Sequence, residues 1–143
     1  MLKTILRART LMAAMVMALP ALAFDADAPI VLPRGDQVFE PLNPMIAMAG
    51  AWGNRGEGAH GTFGTFEPNF TTPLHTHSGA YHGVVIEGTM TNPFAGEANP
   101  PEMEAGSYWY VPANAVHATA CVSNTPCRFY FHADKAFDFV THE

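Results

Sequence analysis

Residues 75–88 read HTHSGAYHGVVIEG, and this stretch decides the fold. His75 and His77 are two positions apart, so on an extended strand both imidazoles leave the same face. Their nitrogens can then converge on one point, which is half of a metal site. The run Val84, Val85, Ile86 is β-branched throughout and ends at Glu87-Gly88, the pattern of a buried strand closed by a turn. Farther along, residues 106–117 read GSYWYVPANAVH, a second strand followed by a Pro-Ala-Asn turn and His117. Two strand-and-turn units, each delivering histidine, predict a β-barrel with a metal inside.

Before this stretch, residues 1–23 have the form of an export signal. Lys3, Arg7 and Arg9 make a basic start, Leu11 to Leu19 is apolar, and Ala21-Leu22-Ala23 is an A-x-A cleavage site. The apolar run is shorter than the roughly 20 residues that span a bilayer, so a cleaved leader is expected rather than an anchor. The folding unit is then a single domain over residues 24–143, secreted or periplasmic. Removing the leader takes away three of the seven basic residues and none of the thirteen acidic ones. Four against thirteen leaves a formal charge of −9, which argues against nucleic acid or anionic lipid as a partner. There is no internal repeat or low-complexity tract, and the abundance of Gly and Pro favours short strands joined by turns.

Cys121 and Cys127 are the only cysteines. Export places them where disulfides persist, and Val-Ser-Asn-Thr-Pro between them is turn chemistry, so a disulfide across a hairpin is expected. A metal site built on the two thiolates is the competing reading, although six residues across a turn is not a usual zinc spacing.

The remaining segments fill in an all-β chain. Residues 24–33 read as an N-terminal arm. Residues 36–42 (DQVFEPL) alternate and suit an edge strand, because Pro41 cannot donate to a central ladder. Residues 43–51 are left between one helical turn and an irregular packed segment. Residues 52–61 (WGNRGEGAHG) read as a glycine-rich loop with His60 facing solvent at its end, leading into a strand over 62–66. Residues 107–111 (SYWYV) form a strand with Tyr108 and Tyr110 on one face and Trp109 on the other. Strands over 116–122, 128–133 and 136–140 bring the total to about eight. His132 falls in a late strand as a core or rim residue, and His142 in the tail. The expected architecture is a small barrel or jelly roll with few or no long helices.

At these residues the chain resembles the cupin superfamily, small β-barrels whose two motifs hold a metal inside. His75, His77 and Gly88 fall on the first motif, with Tyr81 where the family carries an acidic residue. Gly106, Pro112 and His117 fall on the second, with Asn114 in place of a glycine, a mild change because Asn tolerates left-handed turn geometry. The Tyr81 variant with GVVIEGTMTNP, GSYW and the two cysteines is similar to secreted bacterial cupins without an assigned function.

The resemblance implies one divalent transition metal on His75, His77 and His117, a neutral ligand set that zinc, copper, nickel, iron and manganese accept. Tyr81 is either a fourth ligand through its phenolate, a hydrogen-bond donor to substrate or bound water, or a plain core tyrosine. His82 becomes the fourth ligand only if Ser78-Gly79-Ala80 breaks strand parity. Phe63, Trp109 and Tyr110 are expected to wall the substrate pocket. Three-histidine cupins include dioxygenases that cleave β-diketones and hydroxyketones. The implied function is therefore an oxygen-dependent oxidoreductase on a small oxygenated molecule, with Tyr81 in the catalytic role; the alternative is a binding module for sensing, storage or delivery. A homodimer is open on the same resemblance.

Overall fold

The computed structural model describes residues 25–142; the expected leader lies outside the described residues. In chain order the strands are β1 (Glu40–Asn43), β2 (Ile46–Gly53), β3 (His60–Phe66), β4 (His75–Thr76), β5 (Tyr81–Glu87), β6 (Met90–Thr91), β7 (Tyr108–Val111), β8 (Ala120–Cys121), β9 (Cys127–Ala133) and β10 (Val140–Thr141). The one helical piece among the described residues is a 3-10 turn at Arg34–Asp36.

Six strands make one antiparallel sheet in the order β1-β2-β3-β9-β5-β7. The facing layer is broken into short pieces, because Pro73, Pro93, Pro100, Pro101 and Pro112 interrupt its ladders. Its pairs β10–β4 and β6–β8 are joined by isolated bridges, Thr71 to Ala120, His75 to His117, Phe94 to His117 and Met90 to Met103. Both layers feed one apolar core that includes Phe66, Val85, Met90, Val111, Phe129 and Phe131. Removing each of these side chains from water contributes about 1.5–3 kcal/mol. This is an all-β jelly-roll arrangement.

The period of two is strict where the two layers meet. In β9, Cys127, Phe129, Phe131 and Ala133 are buried while Arg128, Tyr130 and His132 are half-exposed. In β7, Trp109 and Val111 point inward while Tyr108 and Tyr110 point out. Trp109 lies across Gly83 of β5, where a Cβ would come within 2.1 Å of the indole, so only glycine leaves the space the ring fills.

Four segments differ from the sequence expectation: the strand over 36–42 starts only at Glu40, that over 116–122 is reduced to β8 and a bridge at His117, and two more change character. Residues 43–51 are neither a helical turn nor irregular: they turn at Asn43-Pro44, where the Asn43 Oδ1 accepts from the Met45 N–H at 2.8 Å, and continue as β2. Of the strand expected over 136–140, only Val140 pairs, as part of β10; residues 134–139 are an irregular strap that crosses the mouth of the barrel. Cys121 and Cys127 form a disulfide with S–S 2.07 Å, tying β8 in one layer to β9 in the other.

Candidate metal centre

β4 and the turn after β7 bring His75 and His117 side by side. The His75 N–H donates to the His117 carbonyl at 2.8 Å and the His117 N–H returns to His75 at 3.0 Å. His77 follows on the same face as His75. One ring nitrogen from each of His75, His77 and His117 lies within 4.8 Å of the others, and all three residues are buried.

A backbone carbonyl fixes each ring. The Nδ1–H groups of His75, His77 and His117 donate to the carbonyls of Pro73 at 2.8 Å, Asp138 at 2.5 Å and Ala115 at 2.9 Å. A carbonyl only accepts, so each Nδ1 carries the proton and each Nε2 presents a lone pair. Burial, aided by the neighbouring imidazoles, pulls the pKa of His75 and of His77 down to about 4. Burial lowers His117 as well. All three rings are therefore neutral at pH 7, the state in which imidazole binds a metal. Three convergent neutral nitrogen donors, each held by an outer hydrogen bond, fit one divalent transition ion.

The strap over 134–139 completes the site, and sequence reading gave it no such role. Phe137 stacks on His77 at 3.9 Å and 24°, and Phe139 stacks on His75 at 4.1 Å and 19°. Between them Asp138 offers its carbonyl to His77 and its carboxylate to the Ser78 N–H at 2.8 Å. The signal was present in Phe-Asp-Phe: two aromatics two apart share a face, as His75 and His77 do.

Tyr81 is inward and 4% exposed. Its O–H donates to the His117 Nε2 at 3.1 Å, with Asn92 Oδ1 at 3.5 Å as a longer second acceptor. Burial pushes the phenol up to about 12, opposed by the Trp109 indole and the Thr119 hydroxyl. The side chain is thus a neutral donor at pH 7 and not a phenolate.

The other sequence-predicted residues divide sharply. His82 keeps strand parity with Tyr81 and so faces outward, where it stacks on His132 at 4.8 Å and meets the Tyr108 hydroxyl. It cannot join the cluster. Trp109 lines the cavity, but Phe63 and Tyr110 do not. Phe63 packs on Tyr130 on the outer face of the sheet, and Tyr110, 45% exposed, packs on His82. The inner wall is instead made by Phe66, Phe70, Phe129 and Phe131, enclosing about 390 Å³ beside His75, His77 and Tyr81. His60 is fully buried rather than solvent-facing: it opens β3, bonds Thr62 at 2.9 Å and packs edge-on to Phe131 and Phe137. His142 bonds Thr76 at 3.0 Å, outside the cluster.

Several solved structures share this fold at low identity. The polyketide cyclase RemF from Streptomyces resistomycificus superposes with TM-score 0.67 at 19% identity, over 81% of this chain and 87% of its own. KdgF from Halomonas sp. gives 0.61 at 12%, over 72% and 93%. An oxalate oxidase gives 0.59 at 16%, over 83% and 76%. No curated protein matches the chain. The cupin domain model matches residues 62–133, just over half of the chain's 143 residues and the part that holds all three histidines. The chain belongs to the cupin domain family.

Proposed function

We propose that this protein is an exported, mononuclear metal-dependent cupin that acts as an oxygen-using oxidoreductase, dioxygenase-like, on a small oxygenated organic molecule. The observation that carries the reading is the convergence of three carbonyl-anchored imidazoles, two of which, His75 and His77, line an aromatic-walled cavity of about 390 Å³. That volume lies in the range of small-molecule sites. A divalent iron, copper, nickel or manganese ion in this ligand set supplies a Lewis acid and a redox centre.

The chain's own residues set the rest. His75, His77 and His117 contribute no charge, so an anionic or enolic oxygen is favoured in the open positions. The Phe137 and Phe139 rings hold two imidazoles in plane and exclude water from one side. Tyr81, neutral and buried, holds its proton beside His117, where it can donate to a substrate oxygen without becoming a base. Sharing a fold with an oxalate oxidase at 16% identity makes redox chemistry compatible with this barrel and nothing more specific. Export is supported by the basic-apolar-Ala-x-Ala order of residues 1–23 and by the pairing of the only two cysteines.

The same site serves a second reading, a binding module without turnover, and one observation favours it: no carboxylate lines the cavity to act as a general base. Oxygen consumption separates the two. Iron-, copper-, nickel- or manganese-loaded protein is expected to consume dioxygen with at least one β-diketone, hydroxyketone or flavonol, while the zinc form binds the compound without turnover. Inertness of every metal form, with binding intact, overturns the enzyme.

A further inference from the structure

We propose that the ligand of this cavity carries a carboxylate and that Arg55 is the residue that binds it. This deepens the small-molecule reading of the same site and rests on it. The cavity is walled mostly by aromatic and aliphatic side chains, and among the described residues Arg55 is the only formally charged side chain lining it. The other arginines of the described residues are engaged. Arg34 pairs with Glu87, and Arg128 donates to Gln37 and lies over the rings of Phe39 and Phe63 at 4.9 and 5.9 Å. Arg55 has no ion pair and no side-chain hydrogen bond among the described residues. Glu40 shares a smaller groove with it but makes no ion pair.

Arg55 is half-buried, in the loop between β2 and β3. Its carbonyl accepts from the Phe137 N–H at 2.8 Å, so its backbone is tied to the strap that stacks on His77. Its positive charge reaches inward far enough to help lower the pKa of His60. In a chain with thirteen acidic residues and seven basic ones, leaving the cavity's only guanidinium unneutralised calls for an anionic counterpart. A guanidinium offers paired donors that match a planar carboxylate, and partial burial strengthens the contact. The pocket therefore suits an apolar, aromatic-sized body bearing a carboxylate.

Calorimetric titration with benzoate and with benzamide, an uncharged analogue of the same shape, tests this on the full exported protein, both metal-free and zinc-loaded. Benzoate is expected to bind at least tenfold more tightly than benzamide in both forms. Arg55→Gln should abolish that preference and leave benzamide unchanged, and Arg55→Lys should retain part of it. Equal affinities for the two probes, no binding of benzoate, or a preference that survives Arg55→Gln overturns the assignment. A preference seen only with zinc overturns it too, since the carboxylate would then be on the metal. Zinc stoichiometry, measured alongside, keeps the two readings apart. Failure to bind zinc with the Arg55-dependent preference intact sinks the metal reading alone, and normal zinc binding without the preference sinks the Arg55 assignment alone.

Discussion

Histidines gather on both sides of the six-stranded sheet, and the two sets differ in almost everything except residue type. On the inner side, His75, His77 and His117 from the facing layer meet Tyr81 of β5. On the outer side, His82 and His132 sit in register across β5 and β9, their rings 4.8 Å apart and 8° from parallel, beside Tyr108 and Tyr110. The outer pair is only half-buried and has no carbonyl anchor on either ring; its contacts are stacking and one tyrosine hydroxyl. The inner set has every Nδ1 tethered to a backbone carbonyl, which leaves each Nε2 as the ligating or accepting nitrogen, that of His117 accepting from the Tyr81 hydroxyl. Proximity of imidazoles is therefore not what makes a metal centre. Orientation imposed through the second nitrogen is.

The sharpest way to break this comparison is to remove ligands from each side. His75→Ala combined with His117→Ala is expected to reduce metal content from about one ion per chain to near zero by elemental analysis, while His82→Ala combined with His132→Ala leaves it unchanged. Metal retained in the first variant would mean the outer pair, or another group, is the site.

Acid titration gives the next contrast. His60, His75 and His77 have folded pKa values near 4, below the 6.5 of an exposed imidazole, so the unfolded chain binds more protons between those values. Their contribution to stability is present above about pH 6.5 and is lost as pH falls toward 4. Denaturant midpoints of metal-free protein should fall steeply over that window. A midpoint that stays constant from about pH 7 to about pH 4 would overturn this contribution.

Phe137→Ala probes the strap. Losing a half-buried aromatic is expected to cost about 2–3 kcal/mol in urea unfolding and to weaken metal binding, because His77 loses its stacking face. Unchanged metal affinity would show that the carbonyl of Asp138 alone orients the ring. The smallest effect belongs to Tyr81→Phe, about 1 kcal/mol in stability for one buried hydroxyl, with metal content preserved because the neutral phenol is a donor and not a ligand.

The sequence made the sheet legible wherever period-two alternation was clean. Alternation in β5 allows only one of Tyr81 and His82 inside, the motif register favoured Tyr81, and the structure places it there; the same rule applied to β7 excludes Tyr110 from a wall that holds Trp109. The cavity wall was misread where composition stood in for parity. Phe63 is aromatic but leaves the wrong face of β3, while Phe66, three positions on, leaves the right one. His60 was obscured by its glycine-rich approach, since local flexibility says nothing of the strand that begins there. The hairpin after Asn43 depended on one side-chain bond to Met45, and the Phe137–Phe139 strap on contacts with residues some sixty positions earlier. Local pattern carries no trace of the first, and of the second only the same-face spacing of Phe137 and Phe139, not what they cover.

That strap also fixes when the site can exist. His77 donates its anchoring hydrogen bond to a carbonyl 61 positions downstream, and Phe139 covers His75 from farther still. Closing so long a loop is an entropic cost met only when the whole barrel forms. A chain that has emerged only as far as His117 thus has the local anchors of His75 and His117 at Pro73 and Ala115, but neither the Asp138 carbonyl for His77 nor the stacking faces of Phe137 and Phe139. On the proposed metal-binding reading, the ion captured would be decided by the surroundings in which the last residues arrive, and timing would become part of metal selectivity.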